Sequence, residues 1–259
     1  EGDVAQRIAE EMRKVGFDEV RVDRVGNVIG RLGQADGRPA LLYDGHMDTV
    51  GIGDRSAWKR DPFGAELVDG VLYGRGACDM KGGLAAMVYG AKMLRDSGHP
   101  LSGTLYVVGI AQEEPCEGLS LGVLIEKEGI RPDFVVLGEA TNLQLSRGQR
   151  GRMEIKITTK GRASHGSAPQ RGDNAIYKAA RLIQQIERMA GDLPVHDVMG
   201  QATHAVTYIE NTGGSRNVIP DSCSFYIDRR LVLGETLESA LAPLQALVTE
   251  AGIDADVAL

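Results

Sequence analysis

Hydrophobic residues in the first half of the chain recur with the spacings of helices and buried strands in alternation. A helix is predicted over residues 3–16 and a hairpin over 19–32, turned at Gly26-Asn27. Short apolar runs then predict strands and longer periodic segments predict helices: strands at 40–43, 103–111 and 134–137, helices at about 80–96 and 118–128. Alternation of this kind indicates an α/β layer, a mostly parallel sheet with helices on both faces.

The pattern changes after Gly148. Apolar and polar residues now alternate with period two, as at 153–157, which is typical of a half-exposed strand. The predicted order is β-α-β-β-α-β: strands at 153–157, 203–211, 218–230 and 254–259, helices at 174–190 and 236–251. This is the order of a ferredoxin-like α+β domain. We therefore predict two domains, 1–147 and 148–259.

Composition narrows the classes of function. The 259 residues are 42% hydrophobic and 25% charged, which is typical of a globular protein with a sizeable core. A net charge of -7 argues against a nucleic-acid surface, and no apolar stretch is long enough to span a bilayer. Three scattered cysteines form no disulfide framework and indicate a reducing, cytoplasmic compartment.

Acidic residues and one histidine stand where the predicted strands end. His46 and Asp48 follow the strand at 40–43, the pair Glu113-Glu114 follows the next strand, and Glu139 follows the third. Asp79 lies at the entry to a helix. In open α/β sheets the carboxyl ends of the strands form the site, so these groups should converge. So many carboxylates at one edge would repel one another unless cations lie among them.

The spacing of these residues predicts their chemistry. In the His46-x-Asp48 pair both side chains point to one face of an extended segment, so Asp48 can orient the His46 ring. Glu113 and Glu114 point in different directions, so one can bind a metal while the other moves a proton. A mixed nitrogen and oxygen ligand set favours zinc, with cobalt or manganese as substitutes. Taken alone, Glu113-Glu114 could also be a solvated helix start.

The order of four motifs resembles a known family. His46-x-Asp48, Gly76-x-x-Asp79-x-Lys81-Gly82, Glu113-Glu114 and Gly138-Glu139 resemble the dinuclear zinc exopeptidases and deacylases that include acetylornithine deacetylase, succinyl-diaminopimelate desuccinylase and glutamate carboxypeptidase. The resemblance covers essentially the whole chain. It implies a zinc-peptidase fold for 1–147 and a lid and dimerisation domain for 148–259, hence a homodimer.

The resemblance also implies a role for each residue of the metal site. His46 and Glu139 would hold one zinc, Asp79 would bridge two, and Glu114 would hold the second. Glu113 would be the general base that activates the water bridging the two zincs. A cis peptide bond is expected between Asp79 and Met80.

Further implied residues lie in the second domain. His165, in the segment 163–169, resembles the family's histidine that reaches the partner subunit's site and polarises the scissile carbonyl. Asn217 and Arg230 resemble its substrate-carboxylate contacts, with Arg229 as an alternative to Arg230. The stretches 51–54 and 58–63 resemble a subgroup associated with selenium metabolism.

One departure from the family pattern concerns the second zinc. The family supplies a further histidine from a segment that would follow Leu259, and neither His196 nor His204 replaces it. The chain is therefore expected to be truncated, and its first residues also lack an initiator Met. We expect it to hold the first metal preferentially, to be nearly inactive, and to expose apolar strand surface near 40–43 and 134–138.

These observations together predict a metal-dependent hydrolase. Its substrate would be a small N-acyl amino acid or short peptide that carries a carboxylate. The alternatives are a dipeptidase or aminopeptidase, and a non-catalytic binding or dimerisation module on the same fold. The segment 118–122 matches the G-x-S-x-G nucleophile elbow, but no strand immediately precedes it, so a serine hydrolase is excluded.

Overall fold

Two compact units make up the protein. A computed structural model describes residues 1–116, 118–146 and 148–259. The chain divides into Glu1–Leu145 and Ser146–Leu259, and each unit has a hydrophobic core of its own. In the described part of the chain, no helix combines the length and the apolar character needed to cross a bilayer.

The first unit contains one five-stranded sheet with the strand order β1-β2-β6-β3-β7. Its helices and strands are α1 (Gly2–Lys14), β1 (Glu19–Val22), β2 (Val28–Gly33), β3 (Ala40–His46), β4 (Glu66–Val68), β5 (Val71–Tyr73), α2 (Gly82–Asp96), β6 (Thr104–Ile110), α3 (Leu119–Glu126) and β7 (Phe134–Leu137). A single π-type turn, Ala77–Lys81, precedes α2.

The sheet is mixed, which refines the prediction of a mostly parallel sheet. Strand β3 pairs in parallel with β6 and β7, while β1, β2 and β6 are antiparallel neighbours. A short turn joins β1 to β2 and reverses the chain, which makes these two strands antiparallel. The α/β class itself is confirmed. The parallel strands β6, β3 and β7 are those whose ends carry the candidate chemistry.

Helices cover both faces of this sheet, as predicted. On one face, α1 and α2 pack over Leu105 and Val107 of β6. On the other face, α3 contributes Leu124 to a cluster with Val108 and Ile110 of the same strand. Successive side chains of β6 thus enter opposite cores, which explains why the strand is apolar throughout.

One hairpin was not predicted. Strands β4 and β5 pair within the long segment 49–78 and are joined by Asp69 and Gly70, whose φ angles are +49° and +79°. Two consecutive positive φ angles are typical of a type I′ turn, and Asp-Gly is a preferred sequence for it. The dipeptide was therefore a signal for this hairpin within the predicted loop.

Strand β7 forms one edge of the sheet and is exposed. The side chains from Phe134 to Leu137 are each exposed to about half or more, from 47% to 64%. The expected exposed apolar surface is therefore present at 134–137. It is not present at 40–43, where Ala40 and Leu42 are buried, because β3 lies between β6 and β7.

The second unit has the predicted β-α-β-β-α-β order, with a four-stranded antiparallel sheet in the order β12-β14-β8-β15. Its elements are β8 (Gly151–Lys160), β9 (Ser164–His165), α4 (Ala175–Met189), β10 (Val195–His196), β11 (Gly200–Gln201), β12 (Thr203–Asn211), β13 (Val218–Ile219), β14 (Ser222–Leu231), α5 (Leu237–Glu250) and β15 (Ala255–Ala258). Helices α4 and α5 pack on the sheet through one core. The strand predicted at 218–230 is broken between β13 and β14, where Pro220 ends β13.

Candidate metal centre

His46 is the central residue of the candidate site. It is the last residue of β3, and its side chain is only 2% exposed. Its Nε2 lies 2.9 Å from Oδ1 of Asp79 and 3.8 Å from Oε1 of Glu139. The ligand atoms of these three residues all lie within 4.8 Å of one another. The structure therefore brings together three of the four predicted metal ligands.

Closely packed glycines directly precede two of these ligands, His46 and Glu139. The β3–β7 ladder continues beyond β7, because the N–H of Gly138 donates to the carbonyl of Asp44 at 2.9 Å, and this directs Glu139 toward His46. A Cβ atom on Gly138 would lie 2.9 Å from the methyl of Met80, and one on Gly45 would lie 2.7 Å from it. A side chain at either position would require the Met80 methyl to move, so Met80 packs directly against the backbone beside the site.

The π-type turn before α2 carries Asp79. Asp79 and Met80 have non-helical backbone angles within this turn, and the peptide bond between them is cis, as the resemblance implied. The N–H of Lys81 donates to the carbonyl of Gly76 at 3.0 Å and closes the turn. The turn thus presents the Asp79 carboxylate to His46 at the start of the helix.

Asp48 connects His46 to the two glutamates. Its carbonyl oxygen lies 3.1 Å from Nδ1 of His46, nearer than its own carboxylate at 3.4 Å. The two carboxylate oxygens accept hydrogen bonds from the N–H groups of Glu113 and Glu114, both at 3.1 Å. The side chain of Asp48 therefore holds the glutamate segment in place, a role that the sequence analysis did not predict, while its backbone contacts the His46 ring.

Negative charges dominate the site. Burial raises the pKa of Glu139, the positive charge of His46 opposes this, and the negative charges of Asp79 and Glu114 add to it. Burial lowers the pKa of His46, but the hydrogen bond with Asp79 and the charges of Glu139 and Glu113 outweigh it, so the net shift is upward. The charge of Glu113 thus acts on His46, and the charge of Glu114 acts on Glu139.

Asp44 was not singled out from the sequence. Burial and the charges of Glu139 and Glu113 raise its pKa to about 6, with His46 acting in the opposite direction. It precedes His46 by two residues on β3, and the period of a strand places both side chains on one face. That spacing was the signal that could have identified it.

The donor set fits a divalent metal ion. A tetrahedral zinc with bonds of about 2.0–2.1 Å holds its ligand atoms roughly 3.3 Å apart. The distances from His46 to Asp79 and Glu139, 2.9 Å and 3.8 Å, lie on either side of that value. One imidazole nitrogen and two carboxylate oxygens are a ligand set used by zinc enzymes, and a cation would relieve the repulsion between the carboxylates.

His165 and Asn217 lie together in the second unit. Strand β9, which contains His165, pairs with β13, and the N–H of Gly166 donates to the carbonyl of Asn217 at 2.7 Å. Nδ2 of Asn217 lies 3.5 Å from Nε2 of His165. Nδ1 of His165 accepts a hydrogen bond from the N–H of Ser167 at 3.2 Å and lies 2.8 Å from Oγ of Ser167. Both predicted residues are exposed.

Arg229 and Arg230 have different surroundings. Arg229 is 3% exposed and forms a buried ion pair with Glu235. Arg230, on the opposite face of β14, donates to both carboxylate oxygens of Asp228 at 2.7 and 3.1 Å. The structure thus favours Arg230 over Arg229 as a residue that a small molecule could reach.

Comparison with known proteins decides the family. Residues 42–224 match the peptidase family M20/M25/M40. The chain belongs to the M20 peptidase family. It is 46% identical over 244 residues to the uncharacterised protein YgeY of Escherichia coli strain K12, covering 94% of this chain and 60% of that relative. It is also 32% identical over 267 residues to a succinyl-diaminopimelate desuccinylase of Cereibacter sphaeroides, covering 98% and 70%.

Solved structures of the M20 family share the fold. The dipeptidase Dug1p from Saccharomyces cerevisiae matches with a TM-score of 0.75 at 17% identity, covering 99% of this chain and 70% of that one. The metallo-carboxypeptidase Sso-CP2 from Sulfolobus solfataricus matches with a TM-score of 0.73 at 19% identity, covering 98% and 71%. The chain spans about 60% of the length of YgeY, so the matched segment is part of a longer protein in that relative.

Proposed function

We propose that this chain carries the metal site of a hydrolase that cleaves a peptide or N-acyl amide bond in a small substrate bearing a carboxylate. The observation that carries the proposal is the convergence of His46, Asp79 and Glu139, with Glu113 and Glu114 held beside them by Asp48. Membership of the M20 family and the desuccinylase relative support the same reaction class.

The cofactor in this proposal is a pair of divalent metal ions, most readily zinc, with cobalt or manganese as substitutes. His46 and Glu139 would hold the first ion, Asp79 would contact both, and Glu114 would contribute to the second. When bound, such ions polarise a carbonyl and make a water molecule a nucleophile at neutral pH. The nearness of Glu114 to this set is supported by the effect of its charge on Glu139.

Glu113 is the proposed general base. It would take a proton from the attacking water and give it to the leaving amine, a role that needs a carboxylate at a fixed position beside the reacting atoms. Its backbone is fixed by the hydrogen bond from its N–H to Asp48. Asp48 would act by orientation, through this bond and through its contact with the His46 ring.

Residues of the second unit are proposed to bind the substrate. The exposed His165 ring would donate an N–H to a carbonyl oxygen as negative charge develops on it. Asn217 lies beside it with a side-chain amide, and Arg230 offers a guanidinium suited to a carboxylate. Because Asp228 already accepts two hydrogen bonds from Arg230, a substrate carboxylate would have to compete with Asp228 or share the guanidinium.

Assembly and location are also proposed. The second unit would form a homodimer, because β12 is an edge strand of its sheet and carries the exposed side chains of Tyr208 and Ile209. Light scattering coupled to gel filtration would give the mass in solution. A cytoplasmic location is supported by three free thiols, of which Cys78 and Cys116 are exposed.

A substrate panel tests the proposed reaction. The metal-free chain would be loaded with zinc, cobalt or manganese and assayed against N-acetyl and N-succinyl amino acids and against dipeptides. Hydrolysis that requires the metal and stops on chelation supports the proposal, and the preferred class separates a deacylase from a dipeptidase. Metal binding without turnover of any amide, in a form that also supplies the second metal's histidine, would favour a non-catalytic binding module instead.

A further inference from the structure

Ala111, which lies two residues before Glu113, is held by two buried side chains. Oδ1 of Asn27, which is 0% exposed, accepts a hydrogen bond from the N–H of Ala111 at 2.9 Å. Oγ of Ser120, which is 7% exposed, donates to the carbonyl oxygen of Ala111 at 2.6 Å. Both polar backbone groups of Ala111 are thus bound by side chains just beyond the end of β6.

The orientation of the Asn27 side chain is fixed without ambiguity. Its Nδ2 donates to the carboxylate of Asp23 at 2.9 Å and to the carbonyl of Ser120 at 3.1 Å. A backbone N–H can only donate, whereas a carbonyl and a carboxylate accept, so all three contacts require the same amide orientation. Asp23 also accepts from the N–H of Asn27, which anchors this side chain in the turn between β1 and β2.

The segment from Ala111 to Glu114 is therefore fixed at both ends. Asn27 and Ser120 hold its beginning, and the carboxylate of Asp48 holds the N–H groups of Glu113 and Glu114. One residue, Gln112, separates the two anchor points, and it has a positive φ of +57°. Because only Gln112 lies between the two anchor points, a displacement of Ala111 would also displace Glu113.

We infer that Asn27 and Ser120 are positioning residues for Glu113 and Glu114. The inference rests on the function proposed above for those glutamates. It also gives Ser120, the serine of the G-x-S-x-G match, a definite role. Its hydroxyl is buried and donates to a backbone carbonyl, so it orients the general base through the backbone.

Two variants and a matched control test the inference. Ser120→Ala removes the hydroxyl, and Asn27→Ala leaves the N–H of Ala111 without its acceptor. Thr104→Val is the control, because Thr104 is 3% exposed, lies at the other end of the same strand β6, and donates to the carbonyl of Gly37 at 3.0 Å. All three variants lose a buried polar contact, but the control lies far along the strand from Glu113.

Amide hydrogen exchange on the 259-residue chain is the first measurement. We expect Ser120→Ala and Asn27→Ala to speed exchange at Ala111, Glu113 and Glu114 while the rest of β6 stays protected. Thr104→Val should leave these three amides unchanged. Unaltered exchange there in Ser120→Ala, or faster exchange throughout the first unit, would overturn the inference. Ser120→Ala, the smaller change, decides the matter if Asn27→Ala does not fold.

Steady-state kinetics with a hydrolysed substrate are the second measurement. Because displacing a catalytic group by about 1 Å can cost about 100-fold in rate, kcat should fall by roughly 10- to 100-fold in both variants with KM little changed. The Thr104→Val control should keep its kcat. Wild-type kcat in Ser120→Ala would overturn the positioning role and leave the proposed hydrolase standing. Because this chain is expected to be nearly inactive, hydrogen exchange alone decides whether the segment is held when the wild type shows no turnover.

Discussion

At the scale of single residues, the candidate site concentrates negative charge around one imidazole. The residues that contribute either a contact with His46 or a charge that shifts a neighbouring pKa are Asp79, Glu113, Glu114 and Glu139. The pKa of Asp44 is itself raised by burial and by the charges of Glu139 and Glu113. Without a cation the carboxylates disfavour each other's ionised form. The arrangement is therefore one that a divalent ion would stabilise.

A change at Glu113 tests its role directly. Glu113→Gln keeps the shape of the side chain but removes the group that accepts a proton. Metal binding should persist, and in the enzyme with a complete second metal site kcat should fall by about 10²–10⁴-fold. Zinc content and turnover would be measured on the same preparations. Turnover near that of the wild type would refute the role of general base.

His204 should make the stability of the second unit depend on pH. Burial lowers its pKa, a backbone contact with Ile186 opposes this, and the charge of Arg229 lowers it further. Its Nε2 has no hydrogen-bond partner among the described residues. The unfolded state therefore binds a proton more readily, so stability is lost as the pH falls through about 6.5, the ordinary value for histidine.

His204→Gln should remove this pH dependence. We expect the urea midpoint of the wild-type second unit, read from its NMR signals, to decrease when the pH is lowered from about 7.5 to about 5.5. The decrease should be smaller in the variant. His196→Gln is the matched control, since His196 is only partly buried in the same unit. An equal pH response in wild type and His204→Gln would contradict the assignment.

At the scale of elements, the beginning of α2 packs against the backbone that leads to Glu139. A Cβ atom on Gly83 would lie 2.8 Å from the carbonyl oxygen of Gly138, a contact that backbone cannot relieve without moving. Gly90 lies on the same helix, and a Cβ atom there would meet nothing within 4 Å. The two glycines therefore form a natural pair for comparison.

Alanine at these two positions should have opposite effects. Gly83→Ala should lower the free energy of unfolding by about 1–3 kcal/mol through overpacking, and should weaken binding of the first metal by displacing Glu139. Gly90→Ala should raise the free energy of unfolding by up to about 1 kcal/mol, because alanine is a better helix former. Urea unfolding and zinc titration would measure both effects. Similar stability of the two variants would show that the α2–Gly138 contact is looser than described.

Much of this could be predicted from the sequence, and the failures have physical causes. Periodicity located β3, β6 and β7 because these strands are apolar on both faces, and the ligands stand where the strands end. Periodicity did not reveal the antiparallel side of the sheet, which depends on how the β1–β2 hairpin joins β6. The role of the Asp48 carboxylate could not be predicted either, because it depends on backbone N–H groups 65 and 66 residues away in the chain.

At the scale of the whole molecule, the two units have separate cores. The second unit buries Phe225, Ile155 and Ile157 of its sheet against α4 and α5. Its helices and four main strands are all supplied by Ser146–Leu259. All described residues of that core belong to the second unit, so the second unit should fold independently.

Expression of residues 148–259 alone tests this independence. We expect cooperative urea unfolding and dispersed NMR signals that overlay on those of the same residues in the longer chain. The fragment should bind zinc more weakly than the whole chain does, because His46, Asp79 and Glu139 lie in the first unit. A fragment without cooperative unfolding would contradict the independence of the two units.

The central claim is that His46, Asp79 and Glu139 form a site for a divalent metal ion. Calorimetric titration of the metal-free chain with zinc tests it most directly, with His46→Ala as the variant and His99→Ala, an exposed histidine, as the control. We predict one tightly bound equivalent in the wild type and the control, and affinity lower by more than about 100-fold in His46→Ala, since even loss of a residue that only supports a ligand costs 10–100-fold. Equal zinc affinity in His46→Ala and wild type would contradict the account.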